Sequence, residues 1–86
     1  MSEKAPESIG EVTHYYGKLG VAIVKFKKDV KAGTMLRFKG ASTDFEDSAK
    51  SMQYDHKEVD TGKKGQEVGI KVKDKVREGD EVFEVV

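Results

Sequence analysis

One short turn sequence occurs three times in this chain and limits what the chain can fold into. Each copy begins with a basic residue, which is followed within two positions by a glycine. A polar residue comes next, and then a run in which apolar and polar residues alternate. The copies are Lys31-Ala32-Gly33-Thr34-Met35-Leu36, Lys64-Gly65-Gln66-Glu67-Val68 and Arg77-Glu78-Gly79-Asp80-Glu81-Val82. Glycine is expected there because a turn into a strand often needs a positive φ, which a Cβ makes costly. The chain is therefore predicted to be a series of strands.

The segments around these turns alternate apolar and polar residues with a period of two, which is typical of half-buried strands. Strands are predicted at residues 8–16, 21–27, 36–39, 49–56, 67–72 and 81–86. Residues 41–48 are acidic and rich in hydroxyls, so they are predicted to form a loop, with a helical turn allowed at 44–50. Strands without crossover helices hide their edges best by closing on themselves. The predicted fold is all-β, a small closed six- to seven-stranded antiparallel β-barrel.

The same alternation predicts which side chains form the core. Apolar residues at alternate positions are assigned inward, and so are three phenylalanines. They are Ala22, Val24, Phe26, Leu36, Phe38, Met52, Tyr54, Val68, Ile70, Val72 and Phe83. Tyr15 and Tyr16 are adjacent on a predicted strand and therefore face opposite sides, so one ring is expected near the surface beside His14 and Lys18.

Length and composition indicate one domain. The chain has 86 residues and no cysteine, so packing alone must hold it together without a disulfide or a cysteine-based zinc site. Residues 1–7 are polar and contain the only proline, which predicts a flexible leader before a domain at 8–86. An apolar run of about 20 residues that could span a membrane is absent, as is a signal peptide, so a cytoplasmic location is expected.

The motifs of common enzymes are missing. The sequence contains no Gly-x-x-x-x-Gly-Lys-Ser/Thr, no Gly-x-Gly-x-x-Gly and no Gly-x-Ser-x-Gly, and no thiol nucleophile. The prediction is a protein that is not an enzyme and binds no cofactor. His14 and His56 could be metal ligands together with Asp44, Asp55 or Asp60, but a zinc site needs three or four ligands and the two histidines are far apart in the sequence. Hydrogen-bonded surface histidines are favoured, and no metal site is predicted.

Basic residues recur at alternate positions of three predicted strands, so each set projects from an outer strand face. The sets are Lys25 and Lys27; Arg37 and Lys39; and Lys71, Lys73 and Lys75. If these outer faces lie near one another, a chain of zero net charge would carry a basic patch suited to phosphate. Alternatively, the lysines keep exposed strand faces soluble and discourage edge pairing.

A family resemblance runs through nearly the whole chain, from about Ser8 to its end. It is carried by Ile9-Gly10-Glu11-Val12-Thr13-His14-Tyr15-Tyr16, Gly20-Val21-Ala22-Ile23-Val24, Lys31-Ala32-Gly33, Lys50-Ser51-Met52-Gln53, His56, Gly65-Gln66-Glu67-Val68-Gly69-Ile70 and Arg77-Glu78-Gly79-Asp80. This pattern resembles the β-barrel domain that directly follows the G domain in translation GTPases such as elongation factor Tu and initiation factor two. The same barrel type is also appended to other enzymes, including some peptidase-family proteins, so the resemblance implies fold more firmly than role.

The resemblance implies a stand-alone, non-catalytic translation-factor-like β-barrel that contacts ribosomal RNA or tRNA. The RNA-binding candidates are Lys25, Lys27, Arg37, Lys39, Lys63, Lys64, Gly65, Lys71 and Lys73. The alternative is a protein-protein interaction or accessory module without nucleic-acid binding, whose basic strands would meet an acidic partner. A third reading is a relic with no separable activity.

Overall fold

The computed structural model describes residues 8–85, and all regular structure in that range is β. The strands, in chain order, are β1 (Ser8–Tyr16), β2 (Val21–Phe26), β3 (Val30–Lys31), β4 (Met35–Lys39), β5 (Asp44–Ser48), β6 (Met52–Tyr54), β7 (Lys57–Val59), β8 (Thr61–Gly62), β9 (Glu67–Lys71) and β10 (Glu81–Glu84). Residues 8–85 therefore contain no helix that could cross a membrane. The predicted leader, residues 1–7, lies outside the described residues.

Eight strands form one antiparallel sheet in the order β5-β4-β10-β1-β2-β9-β6-β7, while β3 and β8 pair separately. The sheet is strongly curled. Strand β5 lies at one end of the sheet and β6 is next to the other end, yet only residues 49–51 connect them, so the two ends must lie close together. One hydrogen bond joins the two regions: Asp47 Oδ2 of β5 accepts from the N–H of Lys73, which lies just beyond β9, at 2.9 Å.

The prediction of an all-β fold is confirmed, but the prediction of a closed barrel of six or seven strands is wrong. The sheet is an open, curled half-barrel, since β5 and β7 form no ladder with each other within residues 8–85. It thins toward the β7 end, where β6 pairs with β9 through Met52 and Gln53 only. The edge strand β7 has three residues, and a short edge offers little backbone to another strand.

The three glycine turns form as predicted. Gly33, Gly65 and Gly79 have φ values of 90°, 85° and 93°. Each turn is closed by a backbone hydrogen bond three residues back: Thr34 N–H to Lys31 O, Gln66 N–H to Lys63 O, and Asp80 N–H to Arg77 O. A positive φ at the third residue is what a type II turn requires. The second turn therefore begins at Lys63, one residue before the sequence repeat indicated.

The concave face of the half-barrel carries the core. Its buried apolar residues are Ile9, Val12, Ala22, Val24, Phe26, Val30, Leu36, Phe38, Ala49, Met52, Val68, Ile70, Val72, Val76 and Val82. The inward residues predicted for the segments at 21–27, 36–39 and 67–72 are among them. Phe45 adds to this face by stacking on Phe38, with the ring centroids 5.2 Å apart. Gly62 lies here because a Cβ would come 2.6 Å from Phe26 Cε2.

Several details differ from the sequence prediction. Residues 44–48 form the edge strand β5 and not a loop. Their side chains alternate as in a strand, because Phe45 and Asp47 face inward while Asp44 and Glu46 are exposed. The strand predicted at 49–56 is confined to the three residues of β6. Tyr54, predicted inward, is 39% exposed because the strand ends there, and Phe83 is only half-buried because it follows inward-facing Val82.

Candidate functional site

The structure does not gather the predicted RNA-binding residues into one patch. Lys25 is on β2 and Lys71 on the neighbouring β9, but Arg37 and Lys39 are on β4, separated from β2 by β10 and β1. The remaining candidates lie outside the strands: Lys27 follows β2, Lys73 follows β9, and Lys63, Lys64 and Gly65 form the turn before β9. The condition for a continuous basic patch, three adjoining strand faces, is therefore not met.

The outer face interleaves acids with these basic residues. A row of register partners crosses six strands, and we call it the charged band: Asp44, Lys39, Glu81, Glu11, Lys25 and Glu67. Both lysines in the row have a carboxylate residue on each side. Beside the band, Arg37 Nη2 contacts Asp44 Oδ1 at 2.8 Å. Lys25 and Lys39 therefore lie between acidic register partners, and Arg37 is paired with Asp44, so these three residues do not form a continuous positive surface.

The turn before β9 borders a shallow cavity of about 430 Å³. Its lining residues are Lys25, Tyr54, Asp55, Gly65, Gln66 and Glu67. Two backbone groups of the turn are held by side chains, because the Lys64 N–H donates to Asp29 Oδ1 at 2.9 Å and the Lys63 N–H to Gln66 Oε1 at 3.1 Å. One ammonium against two carboxylates makes the cavity unsuited to an anion.

The two histidines occupy separate surface positions. His14 Nδ1 lies 3.3 Å from Glu78 Oε2, and the His14 ring is 5.3 Å from the Tyr16 ring. His56 follows Asp55 in the turn between β6 and β7, where both have positive φ, 64° and 55°. No group of three His, Asp or Glu side chains placed to hold a metal occurs within residues 8–85.

Sequence reasoning missed an apolar area on the same outer face, which we call the apolar patch: Tyr16, Leu19, Val21, Ile23 and Gly69. Tyr16 is 46% and Leu19 66% exposed, while Val21 and Ile23 are half-buried. Tyr16 pairs with Val21 across β1 and β2, and Ile23 pairs with Gly69 across β2 and β9. Leu19 lies in the adjoining β1–β2 turn.

A register shift in β1 creates this patch. Pairing with β2 is regular up to Val12 and resumes at His14, so one residue, Thr13, is passed over. Such a bulge reverses the alternation of the following residues. Tyr15 consequently packs against the core, and Tyr16 faces out, which settles the prediction that one of the two rings lies at the surface. The detectable signal was the presence of apolar residues on both faces of β2.

Gly69 leaves a notch in the patch that the fold does not require. Its φ is not positive, and an added Cβ would meet Val21 Cγ1 at 3.4 Å, Ile23 Cδ1 at 3.5 Å and the Gln53 carbonyl at 3.7 Å, which are ordinary contacts. Neither backbone strain nor crowding therefore explains the glycine. Glycine inside a strand can mark a site where another backbone or ligand approaches closely.

Comparison with known proteins places the fold. No protein-family model matches the chain. An uncharacterized protease of Methanocaldococcus jannaschii, MJ0090, is 42% identical over 76 residues, which is 87% of this chain and 19% of the protease. The C-terminal domain of a putative U32 peptidase from Geobacillus thermoleovorans superimposes with a TM-score of 0.85 at 21% identity, over 99% of this chain and 100% of that domain. Its selenomethionine variant gives 0.84 at 22% identity, over 90% and 98%.

These findings overturn the translation-factor resemblance. The chain has the fold of a U32 peptidase C-terminal domain, and its curated relative is a protease, of whose length it spans about a fifth. The stand-alone translation-factor-like function, with the ribosome and RNA binding it implied, is therefore wrong. The physical reason is that recurrent glycine turns specify how strands are joined, and proteins of different function share such connections.

Proposed function

We propose that this chain is a non-catalytic accessory domain of a U32 peptidase-type protein and that it acts by packing on the remainder of such a protein. The observation that carries the proposal is the 42% identity with a protease of which the chain covers only 19%. The solved structures it superimposes on represent a domain at the C-terminus of a putative U32 peptidase. An accessory module was the alternative raised by the sequence. A cytoplasmic location stays a prediction.

The buried carboxylates support a structural role for the chain. Asp47 accepts the Ser48 and Lys73 N–H groups, each at 2.9 Å, and Asp80 Oδ2 accepts the Arg77 N–H at 2.8 Å. These bonds hold β5 to the segment after β9 and shape the third glycine turn. The acidic side chains that are shielded from water are therefore engaged by backbone donors, as expected for groups that fix the fold.

The non-catalytic part of the proposal is tested with the isolated chain and a peptide library followed by mass spectrometry. No cleavage products are expected. Cleavage that persists through purification and is abolished by a substitution within this chain would contradict the proposal.

The accessory part is tested on the full-length M. jannaschii protease and on a form without the 76 matching residues. Removal is expected to lower the melting temperature of the remainder, because a packed domain stabilises the folded state of its partner. An unchanged melting temperature would show that the segment is only tethered.

A further inference from the structure

The apolar patch differs from the rest of the outer face because no side chain among the described residues, 8–85, covers it. In the charged band, each lysine is flanked by carboxylates from neighbouring strands. In the patch, Tyr16 and Leu19 are 46% and 66% exposed, with half-buried Ile23 beside them. A contiguous exposed apolar area rimmed by polar residues is typical of an interaction site, and tyrosine is enriched at such sites.

Gly69 gives this area a shape as well as a polarity. Its missing side chain opens a notch bounded by Val21, Ile23 and the Gln53 carbonyl. The notch is a shallow depression about the size of one methyl group, because a Cβ on Gly69 would reach its neighbours at ordinary contact distances. Two polar residues border this area: Lys71, the register partner of Val21, and His14, the register partner of Ile23. An apolar side chain placed over such a depression would be surrounded by polar contacts, as anchor residues are at protein interfaces.

The occupant is indicated by the length of the relative. The chain matches 19% of the M. jannaschii protease, so about four-fifths of that polypeptide lies outside the matching segment and must meet this domain somewhere if it packs on it. Interfaces between domains of one chain resemble transient protein–protein interfaces, in which a few apolar side chains lie within a polar surround.

We propose that the apolar patch is the surface that packs against the remainder of a U32 peptidase-type polypeptide, with one apolar side chain of that remainder seated over Gly69. This rests on the proposed function and adds to it the face and the anchor position. The charged band then stays in water, and the domain presents one side of its half-barrel to the rest of the protein.

The test uses the full-length M. jannaschii protease with its matching segment replaced by this chain, compared with the isolated chain. Hydroxyl-radical footprinting with mass spectrometry reports on three exposed side chains: Tyr16, Leu19 and Met35. Their exposed fractions in the isolated chain are 46%, 66% and 43%. Labelling of Tyr16 and Leu19 is expected to fall several-fold in the full-length protein, and labelling of Met35, on β4 and separated from β2 by β10 and β1, to stay unchanged.

Two matched variants of the full-length chimera locate the anchor. Gly69→Glu places a charge in the notch and should restore Tyr16 labelling to the level of the isolated chain. Met35→Glu places the same charge at an exposed apolar position on β4 and should leave Tyr16 protected. If the chimera does not fold, backbone hydrogen exchange in the native protease, at the positions aligned with Tyr16, Leu19 and Met35, is compared with exchange in its isolated 76-residue segment, with the same contrast expected.

The outcomes separate this inference from the proposed function. Protection of Met35 in place of Tyr16 and Leu19 would overturn the docking face and leave the accessory role intact. Equal labelling of all three side chains in both proteins would overturn both. Protection of Tyr16 that survives Gly69→Glu would overturn the anchor at Gly69.

Discussion

Two rows of register partners on the outer face cross the same three strands, β1, β2 and β9, but one row is charged and the other is largely apolar. In the charged band, Glu11, Lys25 and Glu67 are register partners on β1, β2 and β9. Two residues earlier on β2, the register partners are His14, Ile23 and Gly69. The first row alternates opposite charges across the sheet, whereas the second places the apolar Ile23 side chain beside a position without a side chain, Gly69. The difference shows that one part of the outer face is polar and internally paired in sign, while the other is apolar, and it is the basis for proposing that the second part is covered by a partner.

The largest expected difference is between two glycines, one facing the core and one in the patch. Gly62→Ala should lower the free energy of unfolding by about 1–3 kcal/mol, because the new Cβ overpacks against Phe26. Gly69→Ala should raise it by about 0.5 kcal/mol, because the Cβ fits and alanine reduces the conformational entropy of the unfolded chain. Urea unfolding of both variants provides the measurement. Equal losses of unfolding free energy in the two variants would mean that the fold requires Gly69. Gly69 would then give no reason to distinguish the apolar patch from the core-facing side of the sheet.

A charge reversal tests whether the charged band is balanced internally. Lys25→Glu puts a third carboxylate between Glu11 and Glu67 and should lower the free energy of unfolding by about 1 kcal/mol, since like charges on paired strands repel. Lys25→Gln, which removes the attraction without adding repulsion, is expected to cost roughly half as much. Both losses should shrink in 1 M salt, where the screening length is about 3 Å. Losses independent of salt would show that Lys25 acts through packing.

The β6–β7 hairpin, next to the patch through the pairing of Gln53 with Gly69, contains a local strain. Asp55 and His56 both have positive φ, as a type I′ turn requires, and glycine is strongly preferred at its second central position. His56→Gly should therefore raise the free energy of unfolding by about 0.5 kcal/mol. Thermal melting of the isolated chain measures it. A less stable variant would show that the His56 side chain makes a contact worth more than the strain.

The smallest effect is expected at the most exposed apolar residue. Leu19→Ser should change the unfolding free energy of the isolated chain by less than about 0.5 kcal/mol, because Leu19 is 66% exposed in a turn. Ala22→Ser, in the fully buried partner position of Tyr15, is the matched control and should cost clearly more. A large loss at Leu19 would place it in the core and remove it from the apolar patch.

The sequence predicted the inner side of this molecule better than its outer side. Period-two alternation correctly placed Val24, Phe26 and Ile70 in the core, and the glycine turns formed because positive φ is a local requirement. The edge strand at residues 44–48 was not predicted, because only two of its residues face inward and one of those two, Asp47, is itself acidic, so the segment lacks an apolar alternation. Charge alternation identified exposed lysines but not their neighbours, because cross-strand register is set by the whole sheet.

The apolar patch escaped prediction for a related reason. The bulge at Thr13 decides that Tyr16 faces outward, and nothing in the composition of β1 marks a bulge at that residue. The open position at Gly69 becomes visible only when Ile23 and Gln53 are known to lie beside it. A site formed by three neighbouring strands has no signature within any one of them.

The most direct test of the account is an experimental structure of the full-length polypeptide that carries this chain in place of the matching segment. The account predicts that Tyr16 and Ile23 are buried against the remainder of the protein, with an apolar side chain over Gly69 and the charged band open to water. A structure in which the patch faces solvent, or in which the charged band forms the interface, would contradict it.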